Sequence, residues 1–168
     1  MNGLFRGEIG RFPEPDPRAV HLLYSAHAIP QRLVEEGDPY LEQTKHTVEL
    51  VNERLGGQSP WTLAFQSKIG PVRWLEPATI EVIDSLGRRG VRQVLAIPVS
   101  FVSDHIETLY EIDILYRDLA SAAGIPQFRR SPALNAGLGL ITALASLVKQ
   151  EMSTLEFSIP ANEASRHA

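Results

Sequence analysis

The chain has 168 residues, of which 43% are hydrophobic and 21% charged, with a formal net charge of −4. That length allows one compact domain with a real core and is too short for two ordinary ones. The acidic balance argues against nucleic acid, whose phosphates call for a clustered basic face. With no cysteine, the chain holds no disulfide framework, no thiolate zinc site and no self-contained iron–sulfur cluster, and a reducing cytoplasm is the expected setting.

Taken in order, residues 1–17 (MNGLFRGEIGRFPEPDP) are rich in Pro and Gly, lack the apolar core of a secretory signal, and read as an extended arm or linker. No run approaches the ~18 apolar residues that would span a bilayer. The first strand falls in AVHLLYSAHA (19–28). Gly37-Asp38-Pro39-Tyr40 makes a turn into a helix, where Leu41, Thr44, Val48, Val51 and Leu55 recur at three- and four-residue intervals until Gly56-Gly57 stops it. WTLAFQS (61–67) is the second strand. Residues 77–89 form a second helix, with Pro77 near its first turn and Gly90 just past its end.

VRQVLAIPVSF (91–101) is the third strand, and its continuous apolar character suits a strand covered on both faces. A third helix begins near Asp104 and ends before Gly124. QFRRSPAL (127–134) is a weaker fourth strand. Leu138, Ile141, Leu144 and Val148 then mark a fourth helix, and residues 153–168 read as a polar tail. Strand–helix units of this length imply parallel strands and right-handed crossovers. The expected class is α/β: one domain over residues 18–152, with an open four-stranded parallel sheet and helices on both faces.

Ligands of such sheets bind beyond the carboxyl ends of the strands. His27, Ser67, Lys68, residues 103–107 and Asn135 all fall at that rim. Asp104, Glu107 and Glu111 are spaced 0, 3 and 7, which places them on one face of an α-helix. Three ionised carboxylates there repel unless a cation, a donor or the positive helix end compensates them. One reading makes Asp104 an N-cap with Glu107 as its partner in a capping-box variant; Glu111, a turn further in, stays unexplained by it.

A lone histidine at a strand end is more often a hydrogen-bonded structural residue. His27 gains weight because carboxylates from another strand share its rim. One imidazole facing carboxylates suits a borderline cation such as Fe²⁺, Co²⁺ or Zn²⁺, and equally suits proton transfer. His105 is turned about 100° from Asp104 and ranks lower. Trp74 is either a surface-to-core plug or a platform for a flat ligand. No G-x-S-x-G elbow and no glycine-rich phosphate loop occurs.

In this order, LLYSAHAIP, EEGDPY, FQSKIGPVRWLEP, IPVSFVSDHIETLYEID and PALN resemble the ferrochelatase family, which inserts ferrous iron into a porphyrin late in haem synthesis. The resemblance runs from about residue 20 to residue 148. Ala28 departs from it, since the family usually has Gly or Ser there. The resemblance implies that His27 is the pocket histidine, assigned to porphyrin proton abstraction or metal binding, and that Glu107 faces it across the macrocycle. Asp104, His105 and Glu111 match an acidic helix that moves metal in or protons out. Ser67 and Trp74 match residues around the porphyrin pocket. Arg129 and Arg130 could meet propionates, although solvated surface is the expectation for both.

The family's fold has two α/β halves around a porphyrin cleft, and only the carboxyl-terminal half is matched here. The other wall would come from a second polypeptide, from the rest of a longer chain of which this is a truncated piece, or from a second copy, as in the small homodimeric chelatases that act on sirohydrochlorin. Iron is then a substrate, with no permanent cofactor and at most peripheral membrane contact. The alternatives are a short homodimeric chelatase for another tetrapyrrole, and a non-catalytic porphyrin- or metal-binding module.

Overall fold

A computed structural model describes residues 7–158. The chain divides into two compact units, with the break between Ala133 and Leu134. The first unit is built on four strands: β1 (His21–His27), β2 (Trp61–Gln66), β3 (Gln93–Pro98) and β4 (Gln127–Arg130). All neighbours are parallel and the order is β2-β1-β3-β4. The helices are α1 (Gln31–Glu35), α2 (Tyr40–Leu55), α3 (Thr79–Arg88), a π-helix (Glu107–Tyr116) that continues as α4 (Arg117–Ala122), and, in the second unit, α5 (Leu138–Ser158).

Alternation along the strands sorts the core into two layers. Leu23, Ala64, Val94, Ala96 and Phe128 face a cluster formed by Val82, Ile83 and Leu86 of α3, Ile112 and Tyr116 of the π-helix, and Ala120. Leu22, Tyr24, Leu95 and Ile97 point the other way, onto Val48 of α2 and onto Ile9 and Phe12. Each Leu or Ile removed from water contributes about 1.5–3 kcal/mol. Burial on both sides explains why β3 is apolar without a break from Val94 to Pro98. Tyr24 finishes its burial by donating to Asn52 Oδ1 of α2 at 2.9 Å.

The helices with fixed ends follow the expected punctuation. Gly56 takes φ 93° as the left-handed cap of α2, and Gly90 follows the end of α3; Pro77, expected in the first turn of that helix, lies before its N-cap, Ala78. Within the segment expected to be an arm, Ile9 and Phe12 are buried in the second layer and Pro17–Ala19 forms a 3₁₀ turn capped by Asp16. The fourth expected helix runs on to Ser158, and residues 159–168 of the expected tail lie outside the described residues.

The chain leaves β1 on one side to form β2 and crosses to its other side to form β3. This reversal opens a crevice at the carboxyl ends of β1 and β3, which is where His27 emerges.

Candidate functional site at the switch point

His27 is the last residue of β1. Its backbone N–H donates to Ser100 Oγ (2.8 Å), and its carbonyl accepts from the Tyr40 hydroxyl (2.7 Å). Its ring Nδ1 stands 2.7 Å from the Ala28 carbonyl oxygen. A carbonyl can only accept, so Nδ1 carries the hydrogen and Nε2 of the neutral ring keeps its lone pair. Nε2 faces Glu107 Oε2 at 3.6 Å. That separation is too long for a hydrogen bond; it juxtaposes two lone pairs that a proton or a small cation would reconcile. The two side chains are 40% and 31% exposed, so a ligand can reach the pair.

Glu107 is carried by the first turn of the π-helix. The cap there differs from the expected one. His105 Nδ1 accepts from the Glu107 N–H at 3.2 Å, and the Thr108 hydroxyl accepts from the His105 N–H at 3.0 Å. Asp104 does not act as N-cap. Its Oδ1 binds Arg130 Nη1 at 2.6 Å and lies 3.3 Å from the Thr108 hydroxyl. Arg130 also grips Asp113 with both arms of its fork, Nε to Oδ1 at 2.9 Å and Nη2 to Oδ2 at 2.8 Å. Asp113, first, and then Asp104 hold this guanidinium above its ordinary pKa against the opposing effect of burial. Arg130 is therefore no solvated surface charge, contrary to expectation: its side chain is 10% exposed. The sequence hides this because two acidic partners from two elements meet it only in the fold.

His105 lies nearer the site than its ranking implied. Phe101 packs edge-on against both its ring (4.8 Å) and the His27 ring (6.3 Å).

Glu111 has a different setting. Its Oε2 accepts from Ser67 Oγ (2.9 Å), Gln66 Nε2 (3.0 Å) and the Tyr116 hydroxyl (3.2 Å). Gln66 Nε2 also reaches the Glu107 carbonyl, and Gln66 Oε1 accepts from the buried Ser25 hydroxyl at 2.6 Å, which itself meets Thr79. Burial, reinforced by the charge of Glu111, raises the Tyr116 pKa and keeps its phenol a donor. Ser67 reaches Glu111 from a left-handed backbone, φ 63°. A cavity of about 180 Å³ lies beside this cluster, lined by Ser67, Lys68, Thr79, Glu111 and Tyr116 among others. A larger one, about 580 Å³, opens along β2 and α2 and includes neither His27 nor Glu107.

Among the described residues no three His, Asp or Glu side chains converge as a metal cage. The structure thus brings His27 and Glu107 together and gives Asp104 and Glu111 other partners. Trp74 pairs with Pro30 in an antiparallel bridge and packs against Ala26, Ala28, Phe65 and Leu75, with its indole N–H buried and without a hydrogen-bond partner. Sequence reasoning missed Tyr40, Ser100, Tyr116 and Thr108. The one signal for Tyr116 is its place five residues beyond Glu111, which matters only when the helix is wound with i→i+5 bonds.

Fold and site together define an α/β protein with an imidazole and a carboxylate facing each other at the switch point of a parallel sheet. The ferrochelatase family model matches residues 4–152, and the chain belongs to that family. It is 50% identical over 162 residues to the ferrochelatase of Synechococcus sp. (strain JA-2-3B'a(2-13)), covering 96% of this chain and 46% of that one. To the ferrochelatase of Geotalea uraniireducens (strain Rf4) it is 53% identical over 135 residues, covering 80% and 42%. The chain spans less than half the length of these curated relatives. Among solved structures, a putative cobalamin (vitamin B12) biosynthesis CbiX protein from Marinobacter aquaeolei VT8 shares the fold, with a TM-score of 0.55 at 15% identity over 80% of this chain and 98% of that one.

Proposed function

We propose that the chain is the carboxyl-terminal half of a ferrochelatase and contributes the proton-accepting wall of a site that inserts Fe²⁺ into a porphyrin, either protoporphyrin IX or coproporphyrin III. The observation that carries this reading is the facing of His27 Nε2 and Glu107 Oε2 at 3.6 Å on an open rim. Insertion exchanges two pyrrole N–H protons for one divalent cation. It needs bases that take protons without trapping the metal, and an imidazole and a carboxylate meet that need.

The Nδ1–H tautomer leaves Nε2 of His27 as the acceptor for the first proton, with Glu107 placed to take the second. Glu111, Asp104 and His105 then serve the traffic of metal or protons, and Ser67 and Trp74 border the porphyrin. Iron is handled as a substrate and no resident cofactor is invoked. The second wall comes from an amino-terminal half, on the same polypeptide or on a separate one, or from a second copy of this chain, and the cytoplasm is the setting of this reading. No described helix is long and apolar enough to cross a membrane.

The test is anaerobic insertion of Fe²⁺, or Zn²⁺ as a proxy, into each porphyrin, followed optically beside the solution mass of the protein. His27→Ala and Glu107→Gln are each expected to lower turnover by about 10²–10⁴-fold with circular dichroism unchanged. Full turnover in both variants would overturn the assignment. Activity of a dimer makes the second copy the missing wall, whereas activity only after addition of an amino-terminal half makes that half the missing wall. Porphyrin binding without turnover in either assembly favours the non-catalytic module.

A further inference from the structure

The GDPY turn before α2 does more than start a helix. Asp38 Oδ1 accepts from the Tyr40 N–H at 2.8 Å and sets Tyr40 as the first residue of α2. The Tyr40 ring packs into the small cluster of Ala26, Ala28, Phe65 and Leu75 at the end of β1. Its hydroxyl then reaches back across the strand end to the His27 carbonyl at 2.7 Å. A carbonyl can only accept, so the phenol is the donor.

Three bonds meet around His27. Ser100 Oγ takes its N–H (2.8 Å), Tyr40 holds its carbonyl, and the next N–H, of Ala28, donates to the Gln66 carbonyl at 2.9 Å. The peptide joining His27 to Ala28 is thus fixed at both edges, its oxygen by α2 and its nitrogen by β2. The imidazole reads that placement through Nδ1, whose hydrogen goes to the Ala28 carbonyl at 2.7 Å. That oxygen belongs to the following peptide, Ala28–Ile29, which is joined to the locked one at Ala28; if the His27–Ala28 peptide could rotate, it would swing this acceptor away from Nδ1 and the two neutral tautomers would become comparable.

We propose that Tyr40 is a positioning residue: with Ser100, its hydroxyl locks the backbone of His27 so that the ring stays in the Nδ1–H tautomer and presents the Nε2 lone pair to Glu107. The consequence for turnover rests on the metal-insertion reading, while the lock itself does not. A purely structural Tyr40 would need only its ring; the hydroxyl is the part this role requires.

The test is ring ¹⁵N–¹H correlation on the full chain labelled at histidine, at a pH where the imidazoles are neutral, with His27 assigned by its loss in His27→Ala. The wild type is expected to show the Nδ1–H pattern alone at His27. Tyr40→Phe, which keeps the ring packing, is expected to raise the Nε2–H form from undetected to a population comparable with Nδ1–H. Ser100→Ala is expected to do the same and Ser100→Thr to restore the wild-type pattern, with far-ultraviolet circular dichroism confirming the fold of each. An unchanged Nδ1–H pattern in folded Tyr40→Phe overturns the proposal. In an assembly that metalates porphyrin, Tyr40→Phe should lower kcat about tenfold and leave KM within twofold. If the wild-type assembly shows no turnover, the metal-insertion reading fails and the tautomer pattern still decides for or against Tyr40.

Discussion

Two histidines on β1 are treated in opposite ways. His27 is half-exposed at the rim, whereas His21, at the other end of the strand, is 4% exposed with Nε2 at 3.0 Å from Thr62 Oγ1. Burial, helped by the nearby charge of Arg89, pushes the His21 pKa down from 6.5 to about 4. The folded protein keeps this ring neutral where the unfolded chain takes up a proton. The resulting stability is therefore fully present above about pH 6.5 and is lost as pH falls through 6.5 towards 4, by about 2–3 kcal/mol. Urea midpoints of the wild type and His21→Gln at pH 7.5 and 4.5 should show the smaller loss in the variant; equal losses would assign the acid sensitivity to other groups. His27 was legible in the sequence because it ends an apolar strand. Tyr40 and Ser100 were not, since what they hold is a backbone group with no signature in residue identity.

At the scale of elements, the segment after β3 shows most clearly what a pattern can and cannot carry. A helix was legible there, and so was its acidic face. Its winding was not. The spacing of Asp104, Glu107 and Glu111 assumed α geometry, whereas the helix opens at Glu107 in π form and leaves Asp104 outside it. The wider turn keeps Glu107 and Glu111 on one side and brings Tyr116 under Glu111. Asp104 then joins Asp113 around Arg130, tying the entry loop and the π-helix to β4. Arg130→Met would take from Asp104 and Asp113 the guanidinium they share, leaving Asp113 the more distant Arg117 at 3.8 Å. A loss of about 2 kcal/mol is expected, below the range for fully buried pairs because each aspartate is 25% exposed. Chemical denaturation measures it, and an Asp113→Asn background should shrink the loss; full additivity would mean that Arg130 acts elsewhere.

For the whole first unit, the four strands and their parallel sense could be read from length, apolarity and the intervening helices. The order β2-β1-β3-β4 could not, because strand neighbours are chosen by contacts remote in sequence: His21 lies beside Val94. That order nonetheless creates the crevice, so the feature that locates the site is the one a local pattern does not encode. Such non-local pairing makes folding slow. Refolding from urea, followed through Trp61, whose ring meets Tyr24 edge-on at 6.1 Å, is expected to take milliseconds to seconds. Completion within tens of microseconds would show that local helices, not the sheet, set the barrier.

The placement of β1 between β2 and β3 has a consequence for a chain that is still being synthesised. β1 emerges first but acquires its two neighbours in turn, β2 before β3. At about 5–20 residues per second, the growing chain carries the unpaired edge of LLYSAH for several seconds after β2 is in place. That edge is largely apolar, and an unpaired strand edge is a template for other chains. The central strand that ends in His27 is therefore, until β3 arrives, an open edge that a chaperone would shield.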